Sequence, residues 1–178
     1  MRVVAGEYRG RRLKAPAGTA TRPTADRVRE ALFNILGDVS GAVVLDLYAG
    51  SGALGIEALS RGARRALLVD RDDAAVRVIR RNLAALGLEP RGRAVRAEVT
   101  RWLAGHVREV SGASVVFLDP PYNDAVLDHA LALLDTLAAE GTTVVAEHAH
   151  RQALPGLARL RPVRQRRYGD TAVSVLTM

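Results

Sequence analysis

The 178 residues predict an α/β fold: a seven-stranded, mostly parallel sheet wrapped by helices, with an antiparallel last strand and a small N-terminal hairpin and helix in front. Three observations predict it. From Val43 onward, short β-type runs alternate with helical patterns. A glycine-rich turn, Gly50-Ser51-Gly52, follows the first run and opens a helix. Gly169-Asp170 separates the last two runs, as a tight turn between antiparallel neighbours would.

Ahead of the sheet, Arg2 to Val4 and Arg12 to Leu13 are expected to pair as a hairpin around Gly6 and Gly10. Pro23-Thr24 opens a helix in which Val28, Leu32, Ile35 and Leu36 form one apolar stripe, with Arg27, Arg29 and Glu30 off it. Strands are expected at Val43 to Leu47, Ala66 to Asp70, Ala94 to Arg96, Val115 to Leu118, Thr142 to Glu147, Pro162 to Arg167 and Ala172 to Thr177. No internal repeat or low-complexity linker interrupts them. The expected organisation is a basic arm and helix over residues 1–40, packed on a core of 41–178 as one compact unit.

Net charge is +7, and the positive charge is clustered. Residues 1–29 carry eight basic side chains against Glu7 and Asp26, and residues 151–178 carry six arginines against Asp170, which leaves the middle at −4. Basic ends around an acidic centre predict a polyanion footprint beside a separate catalytic body, with nucleic acid as the natural partner and Arg9, Arg11, Arg12, Lys14, Arg22 and Arg27 as candidate contacts. All but one of the basic side chains are arginine. Genomic base composition can account for that preference but not for the clustering. Met1-Arg2 leads into no long apolar run, so a soluble, cytoplasmic protein is expected, working as a monomer away from membranes.

Asp119-Pro120-Pro121-Tyr122 follows the apolar run Val115 to Leu118. Proline has a nearly fixed φ and no N–H, so a pair stiffens the loop and leaves the Pro120 carbonyl free to accept a hydrogen bond beside Asp119. An exocyclic amine held by both acceptors would have its nitrogen aimed at an electrophile, with the Tyr122 ring stacked on the base. On these four residues alone, a strand end turned by two prolines is the plain alternative. The chain has no cysteine, hence no thiolate to attack a pyrimidine ring, and methyl transfer to nitrogen is the expected chemistry. The four histidines show no metal spacing; His148 and His150 are expected in a solvated loop, and no metal is assigned.

The cofactor site is expected along Asp46, Tyr48, Ala49, Gly50, Ser51 and Gly52, continuing to Gly55, with Asp70 and Arg71 after the second strand and Glu98 and Val99 after the third. Gly50-x-Gly52-x-x-Gly55 with Asp70 twenty residues after Gly50 fits a dinucleotide fold equally well. Asp46 shifts the balance toward S-adenosylmethionine, because an ammonium group needs a carboxylate there and a pyrophosphate does not. The Asp119 loop, at the carboxyl end of the fourth strand, faces the same crevice. Glu98 is read as an adenine contact or a solvated acid, and Glu147 as a support for the site or a loop cap.

These residues resemble the RsmD family. The resemblance runs through Arg2-Val3-Val4-Ala5-Gly6, Arg9-Gly10-Arg11, Arg22-Pro23-Thr24, Asp26 to Asn34, Asp46 to Gly55, Glu57 to Ala63, Asp119 to Tyr122 and Tyr168-Gly169-Asp170. It implies a Rossmann-like class I S-adenosylmethionine-dependent methyltransferase acting on the exocyclic N2 of a guanine in 16S ribosomal RNA, in a small subunit or an assembly intermediate. Glu98 stands where relatives more often carry aspartate or asparagine, and Ala5 where a second glycine is common. The rival readings are an adenine-N6 DNA methyltransferase and a non-catalytic RNA-binding ribosome assembly factor.

Overall fold

The computed structural model describes residues 1–16, 23–120 and 124–178, with the side chains of 23–27 and 124 outside the described set. In chain order the elements are α1 (Pro23–Leu36), β1 (Val43–Leu47), α2 (Ala53–Ser60), β2 (Arg65–Asp70), α3 (Asp73–Ala85), β3 (Gly92–Arg96), α4 (Val99–Gly105) and α5 (Val107–Ser111). Then come β4 (Val115–Leu118), α6 (Asp124–Leu137), β5 (Thr143–Ala149), β6 (Arg161–Tyr168) and β7 (Thr171–Thr177). The sheet order is β3-β2-β1-β4-β5-β7-β6. β7 runs antiparallel to both of its neighbours, and the other pairings are parallel. The order reverses between β1 and β4, which opens a crevice at the carboxyl ends of those strands.

β1 and β4 are buried at every position, the mark of strands covered on both faces. Side chains alternate between two cores. Val44, Leu68, Phe117, Val145 and Val173 meet Leu32 and Phe33 of α1, Ile56 and Leu59 of α2, and Ile79 and Leu83 of α3. Leu45, Val69, Val116, Ala146 and Leu176 meet Trp102 and Leu103 of α4, Val110 of α5, and Leu131 and Leu134 of α6. Every residue in these two sets is nearly inaccessible to water, so their apolar burial supplies most of the favourable free energy of the fold.

β7 returns through Gly169-Asp170, with Tyr168 paired to Thr171 and Gly169 at φ 64, as in a primed hairpin turn with glycine first. The N-terminal hairpin is reduced to one bridge, Arg2 with Arg12, flanked by Val3 N–H to Arg11 O (3.0 Å) and Leu13 N–H to Met1 O (3.1 Å). Val3 and Leu13 are its buried anchors. The arm is then sewn to the core. Glu57, fully buried in α2, accepts the N–H groups of Val4 (2.7 Å) and Ala5 (2.9 Å), and Asn82 of α3 exchanges two bonds with the Lys14 backbone at 2.9 Å.

Three expectations are corrected. Arg29 does not lie off the buried stripe; it is 5% exposed, 3.7 Å from Glu57 and bonded to Arg2 O at 2.7 Å. A buried carboxylate on a neighbouring helix draws it inward, because an unpaired charge at that depth is costly. β3 starts at Gly92 rather than Ala94. A Cβ on Gly92 would stand 2.5 Å from Leu83, so this glycine permits close strand–helix packing instead of marking a turn. β5 continues to Ala149, and His148 is buried in the sheet with Nε2 2.8 Å from Ser174 Oγ, not in a solvated loop. Among the described residues, no helix is long and apolar enough to cross a membrane.

Candidate active site

Four adjacent strands each bring one carboxylate to the carboxyl end of the sheet: Asp70 on β2, Asp46 on β1, Asp119 just after β4 and Glu147 on β5. All four fall on the face covered by α1 to α3. The residues two positions earlier, Leu68, Val44, Phe117 and Val145, belong to that core, and strand side chains repeat every second residue.

Asp46 is 2% exposed, and its Oδ2 accepts the Gly55 N–H at 2.8 Å. Burial pushes its carboxyl up to about 8; the Gly55 bond opposes this, and the negative charges of Asp119 and Asp70 add to it. A cation placed beside Asp46 would relieve that penalty. Asp70 is committed to the loop, with Oδ2 accepting from Gly50 N–H (2.8 Å) and Oδ1 from Asp72 N–H (2.9 Å).

The loop between Asp46 and α2 has an unusual backbone. Tyr48, Gly50 and Gly52 all have positive φ (62, 55 and 78), a region that a bulky residue such as Tyr48 enters only under constraint. Ala49 N–H, bonded to Val69 O at 3.1 Å, helps to hold it. The glycines differ in purpose. A Cβ on Gly52 or Gly55 would meet Leu68 at 2.9 or 2.8 Å, whereas one on Gly50 would meet nothing within 4 Å. The first two serve helix–strand packing, and Gly50 alone faces open space. Ser51 turns away, its hydroxyl 3.2 Å from Met1 Sδ and its carbonyl accepting from Asn82.

Tyr48, Arg71 and Glu98 are electrostatic neighbours. Burial raises the Tyr48 phenol to about 12, with Glu98 adding and Arg71 opposing, and among the described residues its buried hydroxyl has no hydrogen-bond partner. Glu98 caps α4, accepting from Thr100 N–H (3.1 Å), Arg101 N–H (2.8 Å) and the Thr100 hydroxyl (2.7 Å). Partial burial raises its carboxyl, but these bonds outweigh that and lower it. Val99, the first residue of α4, is buried in the opposite core.

Asp119 donates its N–H to Leu47 O (3.4 Å), which extends the β1–β4 ladder, and Pro120 behind it is buried. The Asp119 side chain keeps access to solvent, yet close packing of protein around it raises its pKa. Glu147 is raised as well, by burial first and then by the charge of Asp119. Sequence reasoning left Glu147 undecided. Its signal was an acid near the end of the strand that pairs with β4, which becomes legible only once the strand order is known. Pro121 and Tyr122, expected at this site, lie outside the described residues. Among the described residues, no group of three or more His, Cys, Asp or Glu is arranged to hold a metal ion.

Of the expected RNA contacts, Arg9, Arg11, Arg12 and Lys14 are exposed on the arm, with Arg11 Nη2 3.5 Å from Ala85 O. Arg22 and the side chain of Arg27 fall outside the described residues.

Comparison with known proteins agrees with this geometry. The family described as "Conserved hypothetical protein 95" matches residues 1–177. The chain is 42% identical over 179 residues to "Putative rRNA methyltransferase YlbH" of Bacillus subtilis, covering 98% of this chain and 97% of that one. It is 41% identical over 136 residues to "Ribosomal RNA small subunit methyltransferase D" of Escherichia coli, covering 76% and 67%. Among solved structures, the "Putative methyltransferase yhhF" of Escherichia coli superposes with a TM-score of 0.88 at 33% identity, covering 99% and 97%. An RNA methyltransferase from Salinibacter ruber in complex with S-adenosyl-L-homocysteine shares the fold, with a TM-score of 0.69 at 22% identity over 89% of this chain and 93% of that one. The strand order and the antiparallel seventh strand are those of the class I S-adenosylmethionine-dependent methyltransferases, and the chain belongs to the RsmD-like methyltransferase family.

Proposed function

We propose that the protein methylates the exocyclic N2 of a guanine in 16S ribosomal RNA of the small subunit, with S-adenosylmethionine as donor. The observation that carries this reading is the row of carboxylates across β2, β1, β4 and β5, which divides between two ligands. Asp46, buried and short of a counter-charge, suits the donor's ammonium group. Gly50 leaves room for close approach, and Asp70, Arg71, Tyr48 and Glu98 line the way to the ribose and adenine, with Ala49, Ser51 and Gly52 as the supporting loop and Val99 anchoring the start of α4 in the core behind.

When bound, S-adenosylmethionine supplies an electrophilic methyl group. The chain's task is then positioning. Asp119 and the Pro120 carbonyl accept the hydrogens of the guanine amine and hold its lone pair out of conjugation with the ring. Pro121 stiffens the loop, and Tyr122 stacks on the base. The proton released from nitrogen goes to the Asp119–Glu147 pair, whose raised pKa values suit proton uptake. The arm of residues 1–40 holds RNA phosphates through Arg9, Arg11, Arg12, Lys14, Arg22 and Arg27. The protein acts as a monomer in the cytoplasm, on a small subunit or an assembly intermediate.

The test is transfer of labelled methyl from S-adenosylmethionine to small ribosomal subunits that lack the modification, with duplex DNA as a parallel substrate. Label in the small-subunit RNA is expected. Label in DNA would favour an adenine-N6 enzyme, and RNA binding without label would favour a silent assembly factor.

A further inference from the structure

The edge strand β6 is exposed at every position but its last and carries Arg161, Arg164, Arg166 and Arg167. Neither β6 nor its neighbour β7 contains an acidic residue. Arg161 and Arg167 are held by backbone carbonyls, of Leu157 (3.3 Å) and Gly169 (2.7 Å). Among the described residues, the side chains of Arg164 and Arg166 form no ion pair and no hydrogen bond.

Register gives these two arginines a direction. Arg166 pairs with Val173 and Arg164 with Val175, and both valines belong to the core under α1 to α3. Both arginines therefore fall on the face of the sheet that carries Asp46, Asp119 and Glu147. Val173 also pairs with Glu147, so Glu147, Val173 and Arg166 form one row across β5, β7 and β6. Asp119 falls one strand further along that row, one step beyond the Leu118–Ala146 pair. At about 4.8 Å per strand, the Arg166 backbone is about 14 Å from that of Asp119, within reach of phosphates flanking a base held there. The start of the strand is fixed by Asp135, whose carboxylate accepts the N–H groups of Ala158, Arg159 and Leu160 at 2.6–2.8 Å.

We propose that Arg164 and Arg166 of β6 form a second RNA-binding surface, separate from the N-terminal arm, that grips backbone phosphates beside the target nucleotide. Charges on an edge strand can also serve to prevent edge-to-edge pairing. The shared face and the row with Glu147 favour the phosphate role. The proposal rests on the reading of ribosomal RNA as substrate.

Binding of a fluorescently end-labelled small-subunit ribosomal RNA transcript, measured by anisotropy against salt concentration, tests it with three proteins: wild type, Arg164→Gln/Arg166→Gln and Arg9→Gln/Arg12→Gln. Thermal melting and S-adenosylmethionine affinity confirm that each variant is folded. The β6 variant is expected to bind more weakly, with the slope of log K against log salt shallower by about 1.4, two contacts on a single strand. A steep wild-type slope that the β6 variant leaves unchanged overturns the proposal while RNA remains the substrate. An unchanged slope together with self-association of the variant also overturns it, in favour of edge protection. A wild type that binds neither the transcript nor small ribosomal subunits lacking the modification overturns the substrate reading, and this proposal with it.

Discussion

Asp119, just after β4, and Glu147 of β5 stand side by side one step beyond the Leu118–Ala146 pair, and the charge of Asp119 adds to the burial that raises Glu147. Neither the Asp119 nor the Glu147 carboxylate forms a hydrogen bond or ion pair among the described residues.

The pH dependence follows from that relationship. Asp119 must be ionised to accept from the amine, and its folded pKa lies above the ordinary value of about 3.9, so the acid limb of kcat/KM should lie above the usual carboxylate range. Glu147→Gln should leave that limb in place, because burial alone raises Asp119. A limb that moves to lower pH would show that the Glu147 charge contributes to it.

Asp46 should make the empty protein less stable as pH rises. Its carboxyl titrates near about 3.9 when unfolded and at about 8 when folded, so stability is greatest below the lower value and declines as pH climbs toward the higher one. Asp46→Asn should flatten this slope and raise Tm at pH 8, while weakening S-adenosylmethionine binding. Melts at pH 5 and pH 8 with calorimetric titration measure both; equal slopes in the two proteins would contradict the burial argument.

Glu57→Ala should loosen the arm and cost about 2–6 kcal/mol, because the N–H groups of Val4 and Ala5 would lose their acceptor, at about 1–3 kcal/mol each. Denaturant unfolding reads the loss, and a change under 1 kcal/mol would mean that the arm is held otherwise.

Gly6→Ala should displace the arm more locally. A Cβ there would lie 1.9 Å from Ser60 O, at a backbone φ of +82. RNA binding should weaken and its salt slope flatten, with cofactor affinity unchanged within about twofold. An unaltered salt slope would place the RNA contacts away from the arm.

Much of this was legible in the chain because parallel strands are short apolar runs bounded by turn residues. Val43–Leu47 and Val115–Leu118 have the expected ends, and Pro23 opens α1 as its fixed φ requires. What escaped depended on partners distant in sequence. The burial of Arg29 is decided by Glu57 on α2, and that of His148 by Ser174 on β7. The contact of the Ser51 hydroxyl with Met1 and the capping of α4 by Glu98 likewise appear only in the structure. The row from Asp70 to Glu147 joins residues up to 101 positions apart on the order β2-β1-β4-β5, which no local pattern reveals.

Asp119→Ala should lower turnover by about 100-fold or more, through lost orientation of the amine, and leave the cofactor Kd within about twofold. Single-turnover kinetics paired with calorimetry separates the two. Loss of cofactor binding in parallel would move Asp119 from the base site to the donor site.

The most direct measurement is the identity of the modified nucleoside. Small subunits lacking the modification are treated with the protein and S-adenosylmethionine, the RNA is digested, and the nucleosides are separated by mass spectrometry. N2-methylguanosine is the predicted product; N6-methyladenosine, or no methylated nucleoside at all, would contradict the account.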